Sequence, residues 1–317
     1  MQGQDIPGAR VSVALRLQSR KLSDVDKAFN KGDIVRSWPM RGTAHFVPAK
    51  DLGWMLSLTA ERTLKAVLKR HAKGGREIAL YDKVEKVTRE LLQGNKQVSR
   101  EALGDHWRSA GVVEEPHDIY QNIFVMSQRL VLVQGPGEGA KQNFVLYDEW
   151  VKKPHKLERD EALAEWALRY FDSHGPAPLK DFAWWTKLPA ADVKSAVASV
   201  RDQLAVIDVD DVEYFMAPDL PDRLKAHKKA AGEPLLLPGF DEFVLGYGNR
   251  DPFVDPVHAG KLVPGNNGMF KASIVHKGQV VGTWKHKGTG AKRILDHSMW
   301  EIEAPKALSK TYELLPR

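Results

Sequence analysis

Between residues 50 and 73, apolar side chains recur at Trp54, Leu58, Leu64 and Leu68. Arg62, Lys65, Lys69 and Lys73 recur at spacings of three and four. These spacings predict a long helix with an inward apolar stripe and a cationic side. The same period predicts helices over 78–93, with Leu80, Val84, Val87, Leu91 and Leu92 on one face, then over 99–107 behind the capping residue Ser99, and over 118–129. Further helices are expected at 158–171, 178–186 and 189–204, the last opening on Pro189. Strand pairs interleave with them. One runs through residues 33–47 with its turn at Met40-Arg41-Gly42. A second pairs 130–134 with 143–147 across the glycine-rich segment 135–141, and a third pairs 205–209 with 212–216 through Asp210-Asp211.

The order helix, helix, helix, hairpin thus recurs in units of roughly 65–75 residues, long enough for small separate cores. After a charged helical connector at 219–232, short strands are expected at 234–238, 240–247, 269–275, 279–284 and 291–295. They suggest a compact twisted sheet or partly closed barrel. The expected class is α+β, mainly α, with a division at 1–75, 76–153, 154–218, 219–232 and 233–317.

The hairpin at 33–47 supports two readings. As a nucleic-acid-binding wing, Arg36 and Arg41 meet phosphates while Trp38 approaches sugars and bases. As an ordinary antiparallel pair, Trp38, Met40 and Phe46 form its inward face and the arginines its solvated one. Charge placement favours the wing. Residues 1–75 hold 14 Lys and Arg against 6 Asp and Glu, whereas residues 76–232 hold 22 against 26. The positive excess of the chain therefore lies mainly in its first quarter, where a basic face for a polyanion is expected.

Other chemistries are excluded or weakened. The 317-residue chain has no cysteine, so disulfides, thiol nucleophiles and cysteine-ligated metals are ruled out. Its 11 histidines are dispersed without metal-ligand spacing, so neither a metal nor a cofactor is expected. No phosphate-binding Gly-x-x-x-x-Gly-Lys-Ser/Thr motif and no apolar run of membrane-spanning length occurs. The amino end shows no signal-peptide pattern. His45 is either a phosphate or lesion contact or a packed structural residue. The acidic pair Asp241-Glu242 raises a glycosidase reading, but on the expected strand adjacent side chains face opposite sides, which leaves them a structural or supporting role. Trp184-Trp185, in mid-helix, is expected to be core.

Several motifs occur together in order: Trp38-x-Met40-Arg41-Gly42-Thr43-x-His45, the segment from Pro48 to Trp54, Leu236-Leu237-Pro238-Gly239-Phe240-Asp241-Glu242, Leu245-Gly246-Tyr247, Asn267-Gly268-x-Phe270 and Val281-Gly282-Thr283-Trp284. This set resembles the AlkZ/YcaQ family of winged-helix DNA glycosylases over nearly the whole chain. The resemblance implies three tandem winged helices and a C-terminal barrel-like domain that together shape a concave channel for double-stranded DNA. It also implies excision of bulky alkylated purines, including unhooking of interstrand crosslinks. The family's Gln-Φ-Gln or Gln-Φ-Asp motif maps onto Gln2-Gly3-Gln4, followed by Asp5. Candidate catalytic residues are therefore Gln2, Gln4 and Asp5, and candidate DNA contacts are Arg36, Trp38, Arg41, Thr43, His45, Arg62, Lys65 and Lys69.

Two departures stand out. The centre of the motif is glycine rather than an aliphatic residue, and the family's preceding helix is expected from an upstream start, because Met1 directly precedes the motif. The expected protein works as a monomer on alkylated or crosslinked duplex DNA, in the bacterial cytoplasm at the nucleoid, without an obligate protein partner. The alternatives are a non-catalytic winged-helix DNA-binding protein, a frayed terminus without function at residues 2–5, and a carbohydrate-active enzyme using Asp241 or Glu242.

Overall fold

The computed structural model describes residues 1–139 and 141–316. Ala140, inside the expected 135–141 loop, and Arg317, at the end of the expected C-terminal domain, lie outside the described residues. The fold is α+β. The chain forms two compact units, one of residues 23–162 and one of residues 1–22 together with 163–317.

The chain enters through α1 (Ile6–Leu15) and α2 (Leu22–Lys31). The unit of residues 23–162 then builds β1 (Ile34–Met40), β2 (Thr43–Pro48), α3 (Leu52–Lys73), α4 (Leu80–Leu92), α5 (Arg100–Ser109), α6 (Pro116–Gln128), β3 (Leu132–Glu138), β4 (Lys141–Leu146) and α7 (Tyr147–Trp150). Ser99 caps α5 as expected, its hydroxyl accepting from the Ala102 N–H at 3.2 Å. The β1–β2 turn is made by Arg41 and Gly42, with φ of 57° and 70°. Two successive positive φ values produce the twist that matches a two-residue hairpin.

The two hairpins of this unit form one four-stranded sheet in the order β2-β1-β3-β4, joined where Arg36 pairs with Gln134. Edge pairing between strands about a hundred residues apart leaves no local trace in a sequence. A single core unites them. Trp38, Tyr81, Leu92, Leu103, Trp107, Met126 and Phe144 are all buried in it, and Trp107 Nε1 donates to Thr88 Oγ1 at 2.9 Å.

The other unit adds α8 (Arg159–His174), whose first residues close the preceding unit, then β5 (Ala177–Pro178), α9 (Leu179–Thr186), α10 (Ala190–Ser199), β6 (Ala205–Val209), β7 (Val212–Met216) and α11 (Leu220–Ala231). Tyr170, Phe171, Phe182 and Phe215 pack ring against ring beside the small sheet β5-β7-β6. Next come β8 (Leu235–Leu237), α12 (Glu242–Leu245), α13 (Ala259–Leu262), β9 (Ser273–His276), β10 (Gln279–Lys287), β11 (Ile294–Met299) and α14 (Leu308–Glu313).

These last strands pair as β11-β10-β9-β8. Among the described residues β11 does not return to β8, so the sheet is open where a partly closed barrel was one expectation. Both of its faces are covered. Leu237 and Val275 enter one cluster and Leu236 and Ile274 another, the two-sided burial that consecutive apolar residues on a strand require.

One local expectation fails. The pattern of residues 240–247 predicts a strand, but Phe240 turns the chain at φ 62° and Asp241 caps the short helix α12, accepting from the Phe243 N–H at 2.9 Å. The apolar run Phe243-Val244-Leu245 suits either element. The N-capping aspartate decides for a helix.

Candidate active site and nucleic-acid interface

The glutamine motif lies in the unit formed by residues 1–22 and 163–317. Gln2 is buried, at 7% exposure, and Gln4 is exposed. Gln2 Nε2 donates to Gln4 Oε1 at 2.8 Å, which couples the two carboxamides. The Gln2 main-chain N–H donates to Glu242 Oε1 at 3.0 Å. Gln2 Oε1 is buried and accepts no hydrogen bond. A segment held in this way is not a frayed terminus.

Asp5 stands immediately before α1, which carries a proline in its first turn. Its carboxylate lies over Gly8, and a Cβ at that position would collide with Asp5 Oδ2 and stand 3.3 Å from Pro238. Asp5 and Gly8 line a cavity of 1280 Å3 with Arg10, Phe240, Phe270 and Trp284. The motif therefore sits beside an open, part-aromatic recess.

Two adjacent acids hold the amino-terminal segment, Glu242 at the motif and Asp241 at α1. Asp241, 1% exposed, accepts Ser12 Oγ at 2.6 Å and a fork from Arg16 at 2.8 and 2.9 Å, in addition to its capping bond. Desolvation alone would lower the Arg16 pKa, but the hydrogen bond and charge of Asp241, together with the charge of Glu242, outweigh it and raise the guanidinium above its ordinary value. Glu242 Oε2 accepts Trp185 Nε1 at 2.9 Å, and His174 Nε2 lies 3.8 Å from the same oxygen. The His174 ring is stacked on Tyr170 at 4.6 Å.

The expectation that Asp241 and Glu242 point to opposite sides of a strand is thus corrected. They occupy a helix start, and both serve the amino-terminal segment. Trp185 likewise has a polar task that a core assignment did not foresee. Sequence reasoning missed Ser12, Arg16, His174 and Trp185 in this site; the available signal was Asp241 as an N-cap behind Pro238-Gly239.

The candidate DNA contacts all belong to the unit of residues 23–162. Arg62, Lys65 and Lys69 are exposed along α3, continued by Arg70 and Lys73. Arg41 occupies the hairpin turn, its guanidinium donating to His45 Nε2 at 3.1 Å. A guanidinium only donates, so the His45 proton sits on Nδ1 and is given to the Thr43 carbonyl at 2.8 Å. His45 is fully buried and Trp38 is 6% exposed, so these two follow the packed reading and brace the hairpin from within. Thr43 is half-buried, with its hydroxyl oxygen among the buried atoms lacking a hydrogen bond.

Arg36 is half-buried. It donates to Gln134 Oε1 and lies 5.6 Å from the Trp38 ring. Desolvation, with a smaller contribution from Arg100, lowers its pKa to about 10 even though Tyr120 acts in the opposite direction. It remains a cation at neutral pH. Among the described residues no group of three or more His, Cys, Asp or Glu is arranged to hold a metal ion, and no helix is long and apolar enough to cross a membrane.

The model of the DNA glycosylase AlkZ-like family matches residues 1–314. The chain belongs to that family. A curated relative, the interstrand DNA cross-link repair glycosylase of Streptomyces sahachiroi, is 27% identical over 310 residues, spanning 90% of this chain and 79% of the relative. The solved structure of the Streptomyces sahachiroi DNA glycosylase AlkZ matches the fold with a TM-score of 0.78 at 22% identity, covering 99% of this chain and 87% of that one.

Proposed function

We propose that the protein is a monofunctional DNA glycosylase that excises bulky N-alkylated purines from duplex DNA by hydrolysis of the N-glycosidic bond, and that it unhooks interstrand crosslinks. The helix groups ending in the β1–β2, β3–β4 and β6–β7 hairpins are read as three winged-helix modules. The protein acts as a monomer on chromosomal DNA in the cytoplasm. Family membership and the likeness to the Streptomyces interstrand DNA cross-link repair glycosylase support the reaction class.

The observation that carries the reading is the Gln2 carboxamide, buried, bonded to Gln4 and left with an acceptor oxygen that makes no bond. Leaving such an acceptor unmade costs about 1–3 kcal/mol, a cost that a catalytic acceptor recovers when it meets its substrate.

The chemistry suits these residue types. A purine alkylated at N7 is cationic and leaves readily, so the enzyme need not protonate it strongly. Its task is to hold a water near C1′ while oxocarbenium character develops at the sugar. A carboxamide carbonyl orients water and presents partial negative charge, and its amide group donates to sugar or phosphate. Glutamine is a poor base, so positioning dominates proton abstraction. Asp5 supplies a carboxylate next to the pair at the cavity wall.

The test is release of free base from a duplex carrying 7-methylguanine or a nitrogen-mustard crosslink. The wild-type protein is expected to release the adducted base, and Gln4→Ala to abolish release while still binding DNA. Base release that survives Gln4→Ala, or wild-type binding without release, overturns the proposal. The second result would favour a binding protein.

A further inference from the structure

Glu242 is a buried carboxylate that the reaction as described does not use. Its two oxygens have different partners: Oε1 accepts the Gln2 main-chain N–H at 3.0 Å and lies 3.9 Å from the Met1 ammonium, and Oε2 accepts the Trp185 indole N–H at 2.9 Å and lies 3.8 Å from His174 Nε2. Its neighbour Asp241 fixes α1 through Ser12 and Arg16. One turn of chain, entered through the left-handed Phe240, thereby holds the segment on both sides of the motif: the residue at its start and the helix that follows it. A bulky residue in that conformation is strained and persists only where its surroundings enforce it.

The centre of the motif makes such an anchor necessary. Gly3 has no side chain with which to seat the segment, and glycine loses more backbone freedom on ordering than any other residue. Orientation must come from the main chain. The Gln2 N–H is the group through which Glu242 supplies it. Because Trp185 holds the second oxygen through a part-buried bond, the carboxylate cannot turn away from Gln2 without losing that bond as well.

We propose that Glu242 is a positioning residue for base excision: held by Trp185, it fixes the main chain at Gln2 and so aims the Gln2 carboxamide. This rests on the reading of Gln2 and Gln4 as the reactive pair. The substitution Glu242→Gln offers one carbonyl oxygen where two donors converge, so either Gln2 or Trp185 meets an amide group instead of an acceptor.

The experiment combines single-turnover base release from a 7-methylguanine duplex, duplex affinity by fluorescence anisotropy, and amide hydrogen exchange over residues 1–5, for wild type, Glu242→Gln, Gln2→Ala and the double variant. Glu242→Gln is expected to slow release by about 100-fold, to leave affinity unchanged, and to speed exchange at residues 1–5. In the Gln2→Ala background it should cost nothing further. Trp185→Phe, which keeps the ring and removes the donor, should show the same pattern with about a tenfold loss, and it serves if Glu242→Gln does not fold.

An additive loss in the double variant, or a fall in affinity that matches the fall in rate, overturns the proposal. If the wild-type protein releases no base, the functional reading fails and takes the catalytic consequence with it. The anchor is decided separately, because unchanged exchange at residues 1–5 in Glu242→Gln overturns it on its own.

Discussion

Gln2 and Glu242 are 240 residues apart in sequence and are joined by a buried hydrogen bond of 3.0 Å from the Gln2 main-chain N–H to Glu242 Oε1. A contact of this kind makes the amino end of the chain an integral part of a unit whose other residues come almost entirely from the second half of the sequence. The main chain at the first glutamine of the pair is therefore held by a side chain of the acidic turn.

The neighbouring contact, Asp241 with Arg16 and Ser12, holds α1 rather than the motif itself. Asp241→Ala leaves a seryl hydroxyl without its acceptor and a guanidinium without its fork. Arg16 retains 45% of its side-chain surface, so water compensates part of the loss. The expected cost is about 2 kcal/mol of unfolding free energy, read from urea denaturation, with Asp241→Asn intermediate. A cost below about 0.5 kcal/mol would show that packing alone holds α1.

Arg36 is expected to trade stability against binding. Its lowered pKa means that the folded protein disfavours this charge, so between about pH 10 and the ordinary guanidinium pKa the folded state holds fewer protons than the unfolded state. Its titration then contributes rising stability with pH across that window. At neutral pH Arg36→Met should leave the melting temperature unchanged or raise it, while weakening duplex affinity and lowering the salt slope. A fall in melting temperature with unchanged affinity would make Arg36 purely structural.

The exposed cations of α3 should act through charge alone. Lys65→Ala and Lys69→Ala are expected to weaken binding to all duplex sequences alike, each reducing the slope of log affinity against log salt by about 0.9. Thermal stability should not change, since both side chains are exposed. Titrations between 50 and 200 mM salt decide the matter, and an unaltered slope would remove this face from the phosphate path.

Acid sensitivity of the unit of residues 23–162 should trace in part to Asp118. Burial alone would raise its pKa, but main-chain N–H groups of Glu114 and Glu115 and the Arg76 guanidinium reverse this and hold it below its ordinary value. A depressed carboxyl pKa contributes stability that is complete above the unfolded value near 3.8 and is lost as pH falls through the folded one. Asp118→Asn should therefore lose stability at pH 6 but approach the wild type as pH falls below 4. A constant difference from pH 6 to pH 3 would refute this origin.

Much was legible in the sequence because it depends on near neighbours. Helical period located α3 to α6 and α8 to α11 within a few residues, and the β6 and β7 strands were placed at their observed limits. Arg41-Gly42 and Asp210-Asp211 marked their hairpins because both positions in each turn must take positive φ. The cationic side of α3 could likewise be read from spacing alone, and the glutamine motif from its resemblance to a family.

Only the tertiary structure decided how these pieces combine. The joining of two hairpins into one sheet, the burial of Trp38 and His45, and the descent of Asp241 and Glu242 onto the amino-terminal segment all depend on contacts between residues distant in the chain. Local preference cannot encode them, because a side chain's surroundings are fixed by which remote surface it meets, and a capped turn beside an apolar run reads much like a strand until its partners are in place.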